Sequence, residues 1–133
     1  MQATIHGERT LTDHDFVRLS RLLDGQLPPG LADLIGSADI LPSRDLPADI
    51  VSMYSQVEIV DRHTQRRHKL TVCYPGDAEP AAGYVSVLSP VGSALLGLKA
   101  GAVARWQTPS GEEGSAEIVA VLFQPEHSGA VAG

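Results

Sequence analysis

The sequence predicts an α+β fold in which a short N-terminal antiparallel helical hairpin precedes an antiparallel β-sheet domain with one covering helix. Apolar residues recur at three- and four-residue spacing in the first third of the chain, as in amphipathic helices. From residue 50 onward, β-branched residues in alternating patterns predict strands, and a proline-led helix start lies among them. The 133 residues accordingly divide into a helical segment with its linker (1–49), a sheet domain (50–126) and a flexible tail (127–133).

The first predicted helix covers residues 12–24. Thr12 has the N-cap position, and Asp15 three residues later completes a capping box with Asp in place of Glu. One apolar stripe runs along this helix and consists of Phe16, Leu19 and Leu23. Two glycines and two prolines within residues 25–30 end it, because proline lacks the amide proton that the helix needs.

A second, shorter helix is predicted after these prolines, where a weaker apolar stripe follows. Its members are Leu31, Leu34, Ile35 and Ala38. Two helices joined by so short a turn are expected to pair antiparallel as a helical hairpin. Residues 42–49 contain two prolines and are predicted to form a linker or a short turn before the sheet domain.

Five strands and one helix are predicted in the sheet domain, in the order β-β-β-α-β-β. The strands cover residues 57–61, 69–74, 84–88, 102–107 and 116–123. Polar turns at 62–67 and 108–111 join the first two and the last two strands. The helix covers 90–96, with Ser89 as its N-cap, a proline at its first position and Gly97 at its end.

Composition excludes several classes of protein. The formal net charge of −6 argues against a large basic face, so direct binding of DNA or RNA is not expected. An acidic chain is better suited to a basic protein surface. No apolar run approaches the roughly 20 residues that cross a bilayer, and the chain starts without the pattern of a signal peptide. With a single cysteine that cannot form an internal disulfide, the chain is predicted to be cytoplasmic.

Few side chains suggest chemistry. The five histidines lack a metal-binding spacing, and no dinucleotide or P-loop motif is present. Neither a metal nor a cofactor is therefore predicted. Cys73 lies in a strand pattern and is predicted to be a buried core residue, because a nucleophilic cysteine needs a nearby base and an electropositive site.

Two clusters of charged residues remain as candidates. A basic turn contains Arg62, Arg66, Arg67 and Lys69. It is either a solvated turn or a contact for an acidic partner surface or a phosphate backbone. Asp24 lies beside the predicted hairpin tip and Asp33 just past it. Paired carboxylates at a tip can hold Mg²⁺ when a substrate supplies further ligands, although the residues alone predict only a turn position for Asp24.

Three segments of the sheet domain carry a family resemblance. They are residues 89–97 (SPVGSALLG), residues 99–101 (KAG) and the hairpin turn at 108–111 (TPSG). Together they resemble the C-terminal domain of the bacterial Gre transcript-cleavage factors, which is similar to the FKBP fold. The resemblance spans about residues 50–125 and implies an FKBP-like sheet domain.

A closer likeness is to a family of short Gre-like proteins, the regulators of nucleoside diphosphate kinase. The residues that are similar are 46–53, 72–75 and 123–126. This likeness implies either an effect on the kinase through transcription, which we prefer, or direct binding of the kinase as a protein partner. A third alternative is a peptidyl-prolyl isomerase, but it rests on the FKBP-like fold alone, and fold is weak evidence for function.

The Gre resemblance implies a protein that binds RNA polymerase near its secondary channel. The docking residues that it implies are Ser89, Pro90, Val91, Gly92, Leu95 and Leu96. In Gre factors a long coiled coil enters the channel, and acidic residues at its tip help to hold Mg²⁺ for transcript cleavage. Here a projecting hairpin is implied, although the linker at 42–47 also permits a hairpin that folds back on the sheet. A helix of about 12 residues is only about 18 Å long. Asp24 also has no acidic neighbour before Asp33, so we expect binding without catalysis.

Overall fold

The computed structural model describes residues 9–22, 29–108 and 110–127. The N-terminal segment begins with strand β1 and helix α1 and continues with helix α2 and strand β2. Their bounds are Thr10–Thr12, Asp13–Leu22, Pro29–Ser37 and Asp39–Leu41. β1 and β2 pair in parallel, with Thr10 opposite Asp39. This two-stranded sheet was not predicted, because its two short strands directly adjoin the predicted helices and pair with each other across them.

Helix α1 begins as the sequence predicts, but one of its capping groups has a different partner. The Thr12 hydroxyl accepts the backbone N–H of Asp15 at 2.9 Å, which confirms Thr12 as the N-cap. The expected reciprocal capping box is wrong in one respect, since the Asp15 carboxylate accepts the backbone N–H of Met53 at 3.1 Å. The Asp15 side chain therefore links the start of α1 to Met53 in the segment before β3. The predicted hairpin tip with Asp24 lies outside the described residues.

The second half forms a five-stranded sheet with the spatial order β5-β4-β3-β7-β6. The strands are β3 Gln56–Asp61, β4 Arg67–Cys73, β5 Tyr84–Ser86, β6 Val103–Gln107 and β7 Glu113–Phe123. All five correspond to predicted strands. The prediction of a wholly antiparallel sheet is wrong at one edge, where β5 runs parallel to β4. Residues 74–83 include two short 3-10 turns and carry the chain back along β4, so that β5 begins opposite Thr71 and pairs with the last three residues of β4.

One apolar core is shared by the helical segment and the sheet. Leu19 of α1 and Leu31 of α2 are fully buried in the same cluster as Val57 and Ile118 of the sheet. The Arg18 guanidinium lies 4.3 Å from the centre of the Tyr74 ring, which adds a cation–π contact across this junction. The described turns of both helices therefore lie against the sheet domain, and the implied projecting arrangement is not found in them.

The segment predicted as a linker is also packed against the domain. Leu46 is 1% exposed, and the Gln124 amide donates to the carbonyls of Pro47 and Ile50 at 2.8 and 2.7 Å. His127, predicted to begin a flexible tail, belongs to a 3-10 turn, and its backbone N–H donates to Gln124. Residues 128–133 lie outside the described part.

Helix α3, Pro90–Leu95, is held very close to the end of β5. A Cβ atom on Gly92 would overlap the carbonyl group of Ser86. The glycine is thus required by close backbone approach, although it lies within a helix. After the helix, Gly97 has φ +84°, and its backbone N–H and C=O bond to Val51 at 2.8 Å and to Thr10 at 3.0 Å. This glycine connects α3 to both β1 and the segment before β3.

We predict that Gly92→Ala destabilises the protein, whereas Gly36→Ala does not. Overpacking at Gly92 should lower the free energy of unfolding by about 1–3 kcal/mol, because backbone has to move. Gly36 is a matched helical glycine at which a Cβ meets nothing within 4 Å, so alanine there should stabilise α2 by up to about 1 kcal/mol. Urea unfolding of the three proteins measures both changes. Equal effects of the two substitutions would show that Gly92 is not under steric constraint.

The burial of Asp15 predicts a pH dependence of stability. Asp15 is 4% exposed, and desolvation raises its pKa from the ordinary 3.8 to about 6, opposed by the Met53 N–H and reinforced by Glu126. Since the folded protein keeps this proton at a higher pH than the unfolded chain does, its contribution to stability falls as the pH rises from about 4 to 6. The pKa change corresponds to about 3 kcal/mol.

Asp15→Asn should remove this pH dependence, because the neutral amide keeps an oxygen that can accept the Met53 N–H. The difference in unfolding free energy between the variant and the wild type is expected to grow in favour of the variant by about 2 kcal/mol from pH 4 to pH 7. Asp13→Asn, at an exposed carboxylate on the same helical turn, is the matched control. Parallel pH profiles of Asp15→Asn and the wild type would contradict the prediction.

Candidate interaction surface

The N-terminus of α3 is a rigid, partly apolar edge. The Ser89 hydroxyl accepts the Gly92 N–H at 3.1 Å and donates to the Ser86 carbonyl at 2.7 Å, while the Ser89 backbone N–H reaches that same carbonyl at 2.9 Å. These bonds fix the turn that enters the helix and confirm the predicted N-cap. Pro90 is exposed and Val91 is half-buried, so a small apolar surface is presented on an ordered turn.

The other predicted contact residues of this helix belong to the core. Gly92, Leu95 and Leu96 are buried, and the two leucines are fully so. They cannot contact a partner without unfolding of α3, which corrects their inclusion in the docking set. The two leucines belong to the same buried cluster as Val57 and Ile118 of the sheet. The accessible part of the predicted set is Ser89, Pro90 and Val91.

A groove of about 1090 Å³ lies beside this edge. It is bounded by α3, the β6–β7 hairpin and the turn between β3 and β4, and its lining includes Pro90, Ser93, Trp106, Gly114, Arg62 and Arg105. Trp106 pairs with Gly114 across the hairpin, and a Cβ on Gly114 would overlap the indole ring. The glycine therefore lets the indole lie directly against the backbone of β7.

The predicted basic turn is divided between two faces. Arg62 and its neighbour His63 line the groove. Arg67 lies 3.5 Å from the Glu58 carboxylate, and Lys69 is opposite Glu58 in the β3–β4 register. Arg66 is exposed. The four cations thus do not form one patch, and Arg62 alone of the four joins the edge of α3.

Asp61 gives this turn its shape. Its carboxylate accepts the backbone N–H groups of His63 at 2.8 Å and Thr64 at 3.0 Å. These two hydrogen bonds lower the pKa of Asp61 from its ordinary value. Gln65 follows with φ +64°, which reverses the chain into β4. The carboxylate is therefore engaged in holding the turn that positions Arg62.

The opposite end of α3 is held by an arginine from the N-terminal segment. Arg9 donates from Nη1 to the carbonyls of Leu96 and Ser93 at 2.7 and 3.1 Å, which satisfies acceptors that a helix end leaves open. Sequence reasoning missed Arg9, because it precedes the first predicted element. Trp106 was also missed as a groove residue. The sequence does place Trp106 opposite a glycine in a predicted hairpin, and this pairing could have indicated an exposed ring.

The remaining candidates give no sign of a reaction centre. Cys73 is fully buried, its thiol lies 3.5 Å from the Val85 carbonyl, and burial raises its pKa, which disfavours the nucleophilic thiolate. Asp33 is exposed on α2. Within residues 9–22, 29–108 and 110–127, no group of three or more histidine, cysteine, aspartate or glutamate side chains could hold a metal ion.

The described helices are too short or too polar to span a membrane.

Comparison with known proteins identifies the family to which the sheet domain belongs. The family described as "Transcription elongation factor, GreA/GreB, C-term" matches residues 46–123, a segment that contains the whole five-stranded sheet and α3. The edge of α3 therefore lies within the matched segment, and so does the lining of the groove apart from Arg9 and Leu34.

Individual relatives match over most of this chain. "Regulator of nucleoside diphosphate kinase" of Escherichia coli (strain K12) is 30% identical over 125 residues, which cover 90% of this chain and 92% of the relative. Transcription elongation factor GreA of Azorhizobium caulinodans is 32% identical over 92% of this chain and 78% of its own length. A solved GreA/GreB structure from Nitrosomonas europaea is similar with a TM-score of 0.71 and 30% identity, over 86% of this chain and 99% of that one. The mixed α+β architecture, the matched segment and these relatives together show that the chain belongs to the GreA/GreB family of transcription elongation factors.

Proposed function

We propose that this protein is a non-catalytic transcription regulator that binds core RNA polymerase near the secondary channel. The observation that carries the proposal is the edge of α3, where Pro90 is exposed at the start of an ordered helix inside the matched family segment. The described part of the chain contributes no metal-binding cluster to the interaction. In this proposal the protein acts by occupying a site on the polymerase in the cytoplasm.

The rigidity of the α3 edge favours binding. Three hydrogen bonds among Ser86, Ser89 and Gly92 fix the entry into the helix. The fully buried Leu95 and Leu96 hold the other end of α3 in the core. A preformed edge loses little conformational freedom when a partner packs on it. Small apolar anchors within a polar rim are typical of specific protein interfaces. Pro90 and Val91 are accordingly assigned as the anchors.

The helical segment supports binding without transcript cleavage. Helices of 10 and 9 residues are only about 15 and 14 Å long, and their buried leucines Leu19 and Leu31 complete the core of the sheet domain. We include in the proposal that α1 and α2 pair antiparallel and that the sheet domain is FKBP-like. A hairpin of this size packed on the domain cannot reach deep into a channel.

Effects on nucleoside diphosphate kinase, which the name of the Escherichia coli relative suggests, are assigned to transcription rather than to direct binding. Co-elution of the purified kinase with this protein in the absence of polymerase would reverse that assignment. A peptidyl-prolyl isomerase is not favoured, because Trp106 is the one aromatic residue among the described lining of the groove.

Substitution of the α3 edge should weaken polymerase binding. Pro90→Asp alone, and together with Val91→Asp, is expected to lower the affinity for bacterial core RNA polymerase by about tenfold or more, as at other interface anchors. Val17→Asp is the matched control, since Val17 is an exposed valine on α1. Binding is measured by anisotropy of the fluorescently labelled protein, with circular dichroism to verify folding. Unchanged affinity in a folded Pro90→Asp variant would show that the docking face is wrong.

The protein should occupy the polymerase without inducing cleavage. Added to backtracked elongation complexes, it is expected to produce no shortened transcript, and to slow the cleavage that a Gre factor stimulates in proportion to site occupancy. The Pro90→Asp variant should lose this inhibition, because the inhibition depends on binding through the edge of α3. Gel analysis of end-labelled transcripts provides the measurement. Shortened transcripts that depend on this protein alone would overturn the non-catalytic assignment.

A further inference from the structure

We propose that the groove beside α3 holds an acidic segment of the polymerase, with an apolar side chain of that segment against Trp106 and carboxylates against Arg62 and Arg105. The inference rests on the proposed function and deepens it, because it assigns a partner chemistry and a second row of contacts next to Pro90. The volume of about 1090 Å³ accommodates several side chains of a partner. The groove and the edge of α3 would then form one continuous interface.

Charge favours an acidic occupant. The chain carries a net charge of −6, yet the lining of this groove contains three arginines against the two acids Asp61 and Glu113. Arg62 and Arg105 are both exposed. Within the described ranges the recorded ion pair joins Arg67 to Glu58, so neither of these two guanidinium groups has a carboxylate partner there. Guanidinium groups bind carboxylates through paired hydrogen bonds.

Trp106 supplies an apolar platform in the lining of the same groove. It is half-buried, and its indole rests against the backbone of Gly114. An aromatic ring that is already ordered offers a large contact area at little entropic cost, and tryptophan and arginine are the residue types that most often dominate protein interfaces. The combination fits a segment in which an apolar side chain is flanked by glutamates or aspartates.

A protein segment suits this lining better than a nucleic acid does. A polynucleotide would bring evenly spaced phosphates past Asp61 and Glu113, and the negative charge of the whole chain would oppose it. A polypeptide can direct its carboxylates to the arginines and its hydroxyl or amide donors to the two acids. The mixed lining therefore favours a partner with mixed side chains.

Charge reversal in the groove tests the inference. Arg62→Glu and Arg105→Glu are each expected to weaken binding to core RNA polymerase by about three- to tenfold, with a reduced dependence on salt concentration. The double variant should be weaker than either. Arg44→Glu, the same change at an exposed arginine that does not line the groove, should remain within about twofold of the wild type.

Footprinting with hydroxyl radicals provides an independent readout at the ring itself. Trp106 is the single tryptophan of the chain, so its oxidation is identified by mass spectrometry without ambiguity. We expect saturating polymerase to slow oxidation of Trp106 several-fold. Phe123, 46% exposed at the end of β7 that is remote from Gly114, should be oxidised at an unchanged rate.

The outcomes separate the inference from the function on which it rests. If Pro90→Asp weakens binding while the groove variants bind like the wild type and Trp106 is not protected, the groove is not occupied and the docking edge stands. If the wild type does not bind polymerase, the proposed function and this inference are both wrong. If a single-stranded RNA oligonucleotide alone protects Trp106, and Arg62→Glu abolishes that protection, the groove is a nucleic-acid site and the acidic-segment inference is overturned.

Discussion

The close approach of Gly92 to the Ser86 carbonyl is the constraint on which the rest of the interaction surface depends. Because no side chain fits between them, the first turn of α3 rests directly on the end of β5. The Ser89 side chain can then bridge both elements, which leaves Pro90 exposed while Leu95 and Leu96 enter the core. A larger residue at position 92 would tilt the helix and alter the edge and the groove together.

The features that could be predicted from the sequence are those with a local cause. A serine before a proline and a glycine seven residues later specify where α3 begins and ends, and alternation is sufficient to locate the five strands of the sheet. Thr12 was identified as an N-cap because its partner is only three residues away. The turn that enters α3 was predicted for the same reason, since Ser89 forms hydrogen bonds to Ser86 and Gly92, which are only three residues away.

The features that could not be predicted depend on contacts between distant segments. Asp15 has the spacing of a local cap, and its bond to Met53 becomes visible only when the helix is packed on the domain. The parallel pairing of β5 depends on the path of residues 74–83, for which periodicity carries no information. The groove requires Trp106, Arg62 and Pro90 to meet, and these residues are 16 or more positions apart in the chain. The burial of Leu95 and Leu96, by contrast, could have been inferred from the need to cover the sheet.

The use of the two N-terminal helices in the core bears directly on what the protein can do. An arm that enters a channel must be stable while exposed to solvent, and isolated short helices are not. Here Leu19 and Leu31 are fully buried with residues of the sheet, so freeing these helices would expose that core and destabilise the domain. Release of the N-terminal segment would also break the hydrogen bonds that Arg9 donates at the end of α3. The same contacts that keep the edge of α3 ordered therefore keep the described turns of both helices packed on the sheet domain.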